Sequence, residues 1–169
     1  MEYSKIRSGL SSCFRRHRLT LPEPLAEKID ECKYTVRSNC IGTALWITGL
    51  QESDVYVSCF DVYKNFLVKL PVIEHPKPGC IIAWQSEKGS EIYVSHMGII
   101  TSTDPMRATS RRGIEGIVRT NESVKALNRV SFYNGNITFY SIPCITQTWE
   151  MSTHMEGPKI SLLSRGHLS

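Results

Sequence analysis

The sequence predicts an α+β fold in which N-terminal helices pack on an antiparallel β-meander. Apolar residues recur at helical spacing in the first part of the chain, up to about Pro71. Beyond Pro71, short runs rich in Ile and Val alternate with turn residues. Because only short turns separate these runs, successive strands are expected to be antiparallel.

The chain of 169 residues fits one folded domain with two flanking segments. Residues 1–20 are polar and basic and are expected to form a flexible arm. Residues 21–146 form the predicted folded domain, and residues 147–169, which are polar and lack a clear period, are expected to be a loose tail.

Two helices are predicted first, followed by a third periodic segment. The first follows Pro22 and Pro24, and the second covers residues 40–48, with Asn39 as its N-cap and Gly49 as its stop signal. Residues 54–69 are expected to form the third helix, with a strand over residues 55–57 as the alternative. The apolar face of the first helix comprises Leu25, Ala26, Ile29 and Cys32.

The remaining elements are strands, interrupted by one helical turn over residues 121–128. An Asn134-Gly135 pair between two apolar runs predicts a hairpin, because both residues accept positive φ. The polar residues 86–90 predict a turn. The predicted strands cover residues 80–85, 92–102, 106–110, 114–120, 130–133 and 137–140.

Composition excludes several classes of function. The net charge of +4 suits an anionic polymer, a membrane surface or an acidic peptide no better than it suits an ordinary basic surface. Nucleic acid is not expected as a partner, because no basic patch is interleaved with aromatic residues. No apolar run approaches the roughly 20 residues of a transmembrane helix, and the N-terminus lacks a signal-peptide pattern. We therefore expect a cytoplasmic protein, or one exported by a route that needs no signal peptide.

The six cysteines contain no C-x-x-C pair, which argues against a zinc ribbon or a thioredoxin site. They are expected to be reduced and mostly buried. A metal site built from His75, Cys80 and His96 lacks the usual ligand spacing, so no metal or other cofactor is expected.

Cys40 is the candidate nucleophile. It directly follows the N-cap Asn39, so its thiol would lie at the positive end of the helix dipole, which favours the thiolate. The amides of the first turn can hold an oxyanion, and Gly42 allows close approach of backbone or substrate. A cysteine buried on a core helix is the alternative interpretation.

His96 is the candidate general base. It lies in an apolar strand whose alternation places Val94, His96 and Gly98 on one face. A helix carrying Cys40 and packed across this strand would bring the thiol and the imidazole within hydrogen-bond distance. A histidine satisfied within the core is the alternative.

The order of these motifs resembles the NlpC/P60 branch of the papain-like cysteine peptidases. N-C-x-G begins a helix, P-x-P-G precedes an apolar strand, and H-M-G-I-I follows after a turn. The resemblance covers about residues 30–115 and implies the papain-like NlpC/P60 fold, with Cys40 as nucleophile and His96 as base. It also implies that Tyr34, six positions before Cys40, helps to bind the oxyanion.

The family usually carries a polar residue on the next strand that orients the imidazole. Thr109 is the candidate here, with Arg107 or a backbone carbonyl as alternatives. Asn39 and Ile41 replace the usual Asp and Ser, and Cys80 stands where the family prefers Asp. By the resemblance, the residues expected to bind the oxyanion or the substrate are Tyr34, Asn39, Ile41 and Gly42, and Ile41 would make the cleft more apolar.

The resemblance implies a cysteine hydrolase that cleaves an amide through a thioester. The expected substrate is a peptide or a peptidoglycan stem-peptide fragment, cleaved by an endopeptidase or amidase acting as an exported effector or a lysin. One alternative is a thiol acyltransferase, deamidase or protease that acts on a host protein. Another is a degenerate, non-catalytic binding domain that uses the basic residues 15–18.

Overall fold

The computed structural model describes residues 22–31, 37–114 and 116–143. Short N-terminal helices pack on a six-stranded antiparallel sheet, which confirms the α+β class. The elements are α1 (Glu23–Glu31), α2 (Cys40–Ile47), α3 (Asp61–Asn65), a 3-10 turn (Leu67–Lys69), β1 (Val72–Ile73), β2 (Ile81–Lys88), β3 (Glu91–Thr103), β4 (Met106–Arg111), β5 (Val118–Ser123), α4 (Val124–Leu127) and β6 (Asn136–Tyr140).

The strand order of the sheet is β1-β6-β2-β3-β4-β5. Strands β2 to β5 form a meander, since each pairs with the next along the chain. Strand β6 departs from that pattern, because it returns to the other side of β2 and pairs with both β1 and β2. The predicted meander therefore accounts for the four strands β2 to β5, and β6 with β1 completes the sheet on the other side of β2.

The sheet is covered on both faces. Helices α1 and α2 pack on one face, which we call the α2 face, where the buried side chains include Ala83, Met97 and Ile99. Helix α4 and the segment after it cover the opposite face, which we call the α4 face, where they include Ile82, Trp84 and Tyr133. Alternate residues of β2 and β3 thus serve separate layers of the core.

The first two helices agree with the prediction. Helix α1 buries Leu25 and Ile29, and α2 begins at Cys40 behind the N-cap Asn39. Gly49 follows α2 with a φ of 75°, a conformation in which glycine carries no Cβ penalty. Nearly all of α2 is buried, so packing stabilises this short helix more than its intrinsic propensity does.

The predicted third helix is mostly wrong. Only Asp61–Asn65 is α-helical, and residues 54–60 form neither a helix nor the alternative strand. The Asn39 side chain contacts both the N–H and the carbonyl of Val57, so this backbone is satisfied by α2 rather than by a helix of its own.

The predicted turn over residues 86–90 is also too long. Strand β2 continues to Lys88, which pairs with Glu91, and only Gly89 and Ser90 make the turn. Gly89 has a φ of 65°, which suits a tight two-residue hairpin. The polar side chains that suggested a turn lie where the hairpin extends beyond the core, and backbone pairing continues there.

The Asn134-Gly135 hairpin is wrong, because residues 130–133 form no strand. A Cβ on Gly135 would lie 1.9 Å from the carbonyl oxygen of Gln85, so this glycine serves a close approach to β2. The residues before it instead carry Tyr133 onto the α4 face, where its ring lies 5.9 Å from that of Trp84.

The predicted arm (residues 1–20) and tail (residues 147–169) lie outside the described residues. Within the ranges that the structure describes, no helix is long and apolar enough to cross a membrane.

Candidate active site

Cys40 lies at the first position of α2, and 7% of it is exposed. The backbone amides of Met97, of Ile41 and of Cys40 itself lower the pKa of its thiol. The amide of Met97 comes from β3, so the thiol lies where the helix N-terminus meets the edge of that strand. These donors favour a negative charge on sulfur or on an atom bound close to it.

The Asn39 side chain caps the start of α2 and also binds the loop that crosses the helix. Its Oδ1 accepts from the Gly42 amide at 2.9 Å, and its Nδ2 donates to the Val57 carbonyl at 2.8 Å. An aspartate would cap the helix equally well but could not donate to Val57. The amide side chain therefore has a structural role at this position. Since Asn39 already occupies the Gly42 amide, that N–H is not available to an oxyanion.

Gly42 is required by the loop that crosses α2. A Cβ at this position would lie 1.7 Å from the carbonyl oxygen of Val55 and 2.8 Å from the hydroxyl of Ser38. The expectation that Gly42 permits a close approach thus holds for backbone, and the approaching group is Val55.

We expect Gly42→Ala to lower the free energy of unfolding by about 1–3 kcal/mol or more, because the loop must move away from α2. Urea denaturation followed by circular dichroism measures the change. Glu52→Ala, on an exposed residue of the same loop, is the control and should change stability little. Equal stability of Gly42→Ala and the wild type would show that the loop does not need this contact.

His96 lies on the α4 face of the sheet, opposite to α2. A bulge at Ser95 causes this, because Trp84 pairs with His96 while Gln85 pairs with Val94. The expectation that Val94 and His96 share a face is therefore wrong. Val94 joins the core beneath α2, whereas the imidazole contacts Trp84.

Cys40 and His96 consequently lie on different layers of the sheet, since Cys40 packs in the core beneath α2 and the imidazole packs on the α4 face. Strand β3 links the two residues, because the amide of Met97, which follows His96, lowers the pKa of the Cys40 thiol. Nδ1 of His96 is buried, and within the described part of the chain it has no hydrogen-bond partner. A hydrogen bond between the thiol and the imidazole is thus not formed in this structure.

Ser110 contacts the other nitrogen of the ring. Its hydroxyl lies 3.0 Å from Nε2 of His96. If Nε2–H donates to this hydroxyl, the Nδ1 lone pair is free to accept a proton. This tautomer is inferred from the contacts, and it leaves Nδ1 as the nitrogen that can act as a general base.

The structure places Ser110, and not Thr109, at His96. The Thr109 hydroxyl accepts from the Asn121 amide at 3.3 Å, and Arg107 donates to the Asn121 carbonyl. Strand alternation is the signal that indicates Ser110, because residues 108 and 110 of β4 lie on the same face of the sheet as His96. Gly98 permits the contact, since a Cβ there would lie 3.1 Å from that of Ser110.

Ile41, another predicted site residue, does not line a cleft in this structure. Ile41 is fully buried in the core beneath α2, so the expectation that it makes a substrate cleft more apolar is wrong. Tyr34 lies outside the described residues. No group of three or more His, Cys, Asp or Glu residues within the described ranges could hold a metal ion, so His75, Cys80 and His96 do not form one.

Burial holds both candidate groups in their neutral forms. Desolvation raises the pKa of the Cys40 thiol to about 11, although the amides of Met97, Ile41 and Cys40 oppose the shift. Desolvation, together with the charge of Arg112, lowers the pKa of His96 to about 3. The expected thiolate is therefore not favoured here, and both the thiol and the imidazole are neutral.

The chain matches no protein-family model, no curated protein and no solved structure. The resemblance to NlpC/P60 peptidases therefore rests on the short motifs around Cys40 and His96 and on their order.

Proposed function

We propose that this protein is a cysteine hydrolase that cleaves an amide bond through a thioester. Cys40 is the nucleophile and His96 is the general base. The observation that carries the proposal is the position of Cys40 at the start of α2, where the backbone amides of Met97, Ile41 and Cys40 favour the thiolate, and Met97 directly follows His96 in β3.

The reaction begins with two neutral partners. As the Cys40 sulfur attacks the amide carbon, its proton passes to Nδ1 of His96, the ring nitrogen without a hydrogen-bond partner in the described structure. The imidazolium then gives this proton to the leaving amine, and a thioester remains on Cys40. Water, deprotonated by the same nitrogen, cleaves the thioester and restores the thiol.

Proton transfer in the buried site is favoured by the groups around the pair. Nε2–H of His96 stays on the Ser110 hydroxyl throughout, which holds the imidazole in one tautomer. The amides at Cys40 stabilise the sulfur anion and then the oxyanion of the tetrahedral intermediate. Substrate binding must bring Nδ1 into hydrogen-bond distance of the thiol, as catalytic hydrogen bonds often tighten only in the complex.

The substrate class that we propose is the peptidoglycan stem peptide, on the basis of the motif resemblance. The test is digestion of purified muropeptides, with products separated by chromatography and identified by mass spectrometry. Cys40→Ala should lower the rate of cleavage by about 10³-fold or more. Cys80→Ala is the matched control, since Cys80 is also buried but lies with residues 77–79 at another part of the sheet.

Cleavage by Cys40→Ala at the wild-type rate would overturn the assignment of the nucleophile. Absence of cleavage by the wild type, combined with formation of a thioester at Cys40 on incubation with activated peptide esters, would retain the hydrolase and reject peptidoglycan. Intact-protein mass spectrometry detects that thioester directly.

One specific observation favours a second candidate, a non-catalytic binding domain. His96 is fully buried and its Nδ1 makes no hydrogen bond to the thiol within the described structure. Under this alternative, Cys40 would form no thioester with any activated peptide ester, and Cys40→Ala would bind peptides as the wild type does.

A further inference from the structure

Tyr133 covers one face of the imidazole of His96. The two ring centroids lie 3.7 Å apart and the ring planes differ by 9°, which makes a parallel stack. Trp84 contacts the same imidazole at 5.2 Å with its plane tilted by 52°. Ser110 bonds Nε2 at 3.0 Å. Together these contacts restrict the rotation of the ring about its χ2 angle and fix the direction in which Nδ1 points.

The backbone holds Tyr133 in this place. The amide of Tyr133 donates to the Val130 carbonyl at 3.0 Å, and the Ser95 hydroxyl donates to the Asn134 carbonyl at 2.8 Å. Ser95 is the bulge residue directly before His96, so one hydrogen bond connects the neighbours of both rings. The bulge that turns His96 onto this face thus also anchors the segment that covers it.

We propose that Tyr133 is a positioning residue for the general base, and that it acts through its aromatic ring rather than through its hydroxyl. This inference rests on the proposed function, in which His96 is the base. The ring keeps the imidazole in a single orientation with Nδ1 unpartnered, as the proposed proton transfer requires, and it excludes water from one face. Its role resembles that of Ser110, which acts on the edge of the same ring.

The charges around His96 come from several elements. Arg112, after β4, lowers the pKa of His96, and its guanidinium is paired with Glu122 of β5 at 2.6 Å. Cys40 on α2 and the phenol of Tyr133 are neutral at physiological pH, since burial raises the pKa of Tyr133 to about 12. Tyr133 therefore affects His96 mainly by keeping water away from the imidazole.

The experiment is an NMR titration of the His96 ring signals in the full chain, which requires no substrate. In the wild type and in Tyr133→Phe, His96 should remain neutral from pH 8 down to about pH 5. In Tyr133→Ala, water reaches the ring face and the pKa of His96 should rise by at least about one unit towards 6.5. Phe132→Ala, which removes the exposed neighbouring ring, is the matched control and should titrate as the wild type does.

An unchanged titration in Tyr133→Ala would overturn the proposal, and so would an equal shift in Tyr133→Phe, which would assign the effect to the hydroxyl. If Tyr133→Ala does not fold, Tyr133→Leu replaces it. Leucine keeps apolar volume but offers no flat face, so the imidazole ¹⁵N shifts should show a smaller fraction of the Nε2–H tautomer. An unchanged tautomer would likewise overturn the proposal.

Measurement of kcat and KM distinguishes a failure of this inference from a failure of the proposed function. With a cleaved substrate, Tyr133→Phe should retain kcat within about twofold, whereas Tyr133→Ala should lose kcat more than it raises KM. If no variant and no wild-type protein cleaves or acylates, the proposed function fails. The titration still decides whether Tyr133 positions His96.

Discussion

Replacement of Arg111 by alanine is expected to lower the free energy of unfolding by about 3–5 kcal/mol, because it removes the cation that neutralises a buried carboxylate. Arg111 and Asp54 form an ion pair at 3.0 Å, and each side chain is only 2% exposed. Nε of Arg111 also donates to the Thr43 hydroxyl at 2.7 Å, and that hydroxyl donates to Asp54 at 2.8 Å. The three groups form a closed network between β4, α2 and the loop that crosses α2.

Arg112 supplies the control for this prediction. It also pairs with a carboxylate, that of Glu122 at 2.6 Å, but its side chain is 45% exposed. Solvent screening should limit the effect of Arg112→Ala to about 1 kcal/mol or less. Urea denaturation of both variants measures the difference. Equal losses for the two arginines would show that the buried network contributes no more than a surface pair.

A double variant tests the cause of the loss. In Arg111→Met with Asp54→Leu, no charge remains to be buried without a partner, so the combined loss should be smaller than the sum of the single losses. Additive losses would show that Arg111 and Asp54 act separately. Because Thr43 is three positions after Cys40, Arg111→Ala should also disturb the amides directed at the thiol.

The parts of the site that the sequence predicts are those determined by local interactions. Residues within a few positions of one another determine the N-cap at Asn39, the helix start at Cys40 and the helix stop at Gly49. The sequence also predicts the strand that carries His96, because the Ile and Val content of a segment is a local property.

The parts that the sequence did not predict depend on pairing between distant segments. A bulge at Ser95 exchanges the faces of the strand, and no composition signal marks it. Ser110 reaches His96 only because of the register between β3 and β4. Arg111 has the sequence context of a turn, yet it is buried because Asp54, far away in the chain, neutralises it.

Tyr133 shows how a correct local signal can lead to a wrong structure. The backbone does bend at Gly135, which has a φ of 115°. The apolar residues before it predict a strand, but in the structure this segment buries Tyr133 against His96 and Trp84. The aromatic contact and the Ser95 hydrogen bond to the Asn134 carbonyl favour the observed arrangement over a hairpin.

The second large effect is a loss of stability in acid that depends on His96. In the native state burial holds the pKa of His96 at about 3, whereas its ordinary value is 6.5. Between these values the unfolded chain binds a proton at this residue and the native protein does not. Stability is therefore fully present above pH 6.5 and falls as the pH decreases, by about 1.4 kcal/mol per pH unit, until His96 is protonated in the native state near pH 3.

In His96→Gln, neither the native nor the unfolded protein binds a proton at this position. The slope of the free energy of unfolding against pH from 6 to 4 should therefore decrease by about 1.4 kcal/mol per pH unit. The comparison uses slopes because the substitution also changes stability by an amount that does not depend on pH, and because the carboxylates contribute equally to both proteins. His75→Gln, on an exposed histidine, should leave the slope close to that of the wild type. An unchanged slope in His96→Gln would mean that water reaches the imidazole in solution, and the buried, neutral imidazole would then not be the resting state of the site.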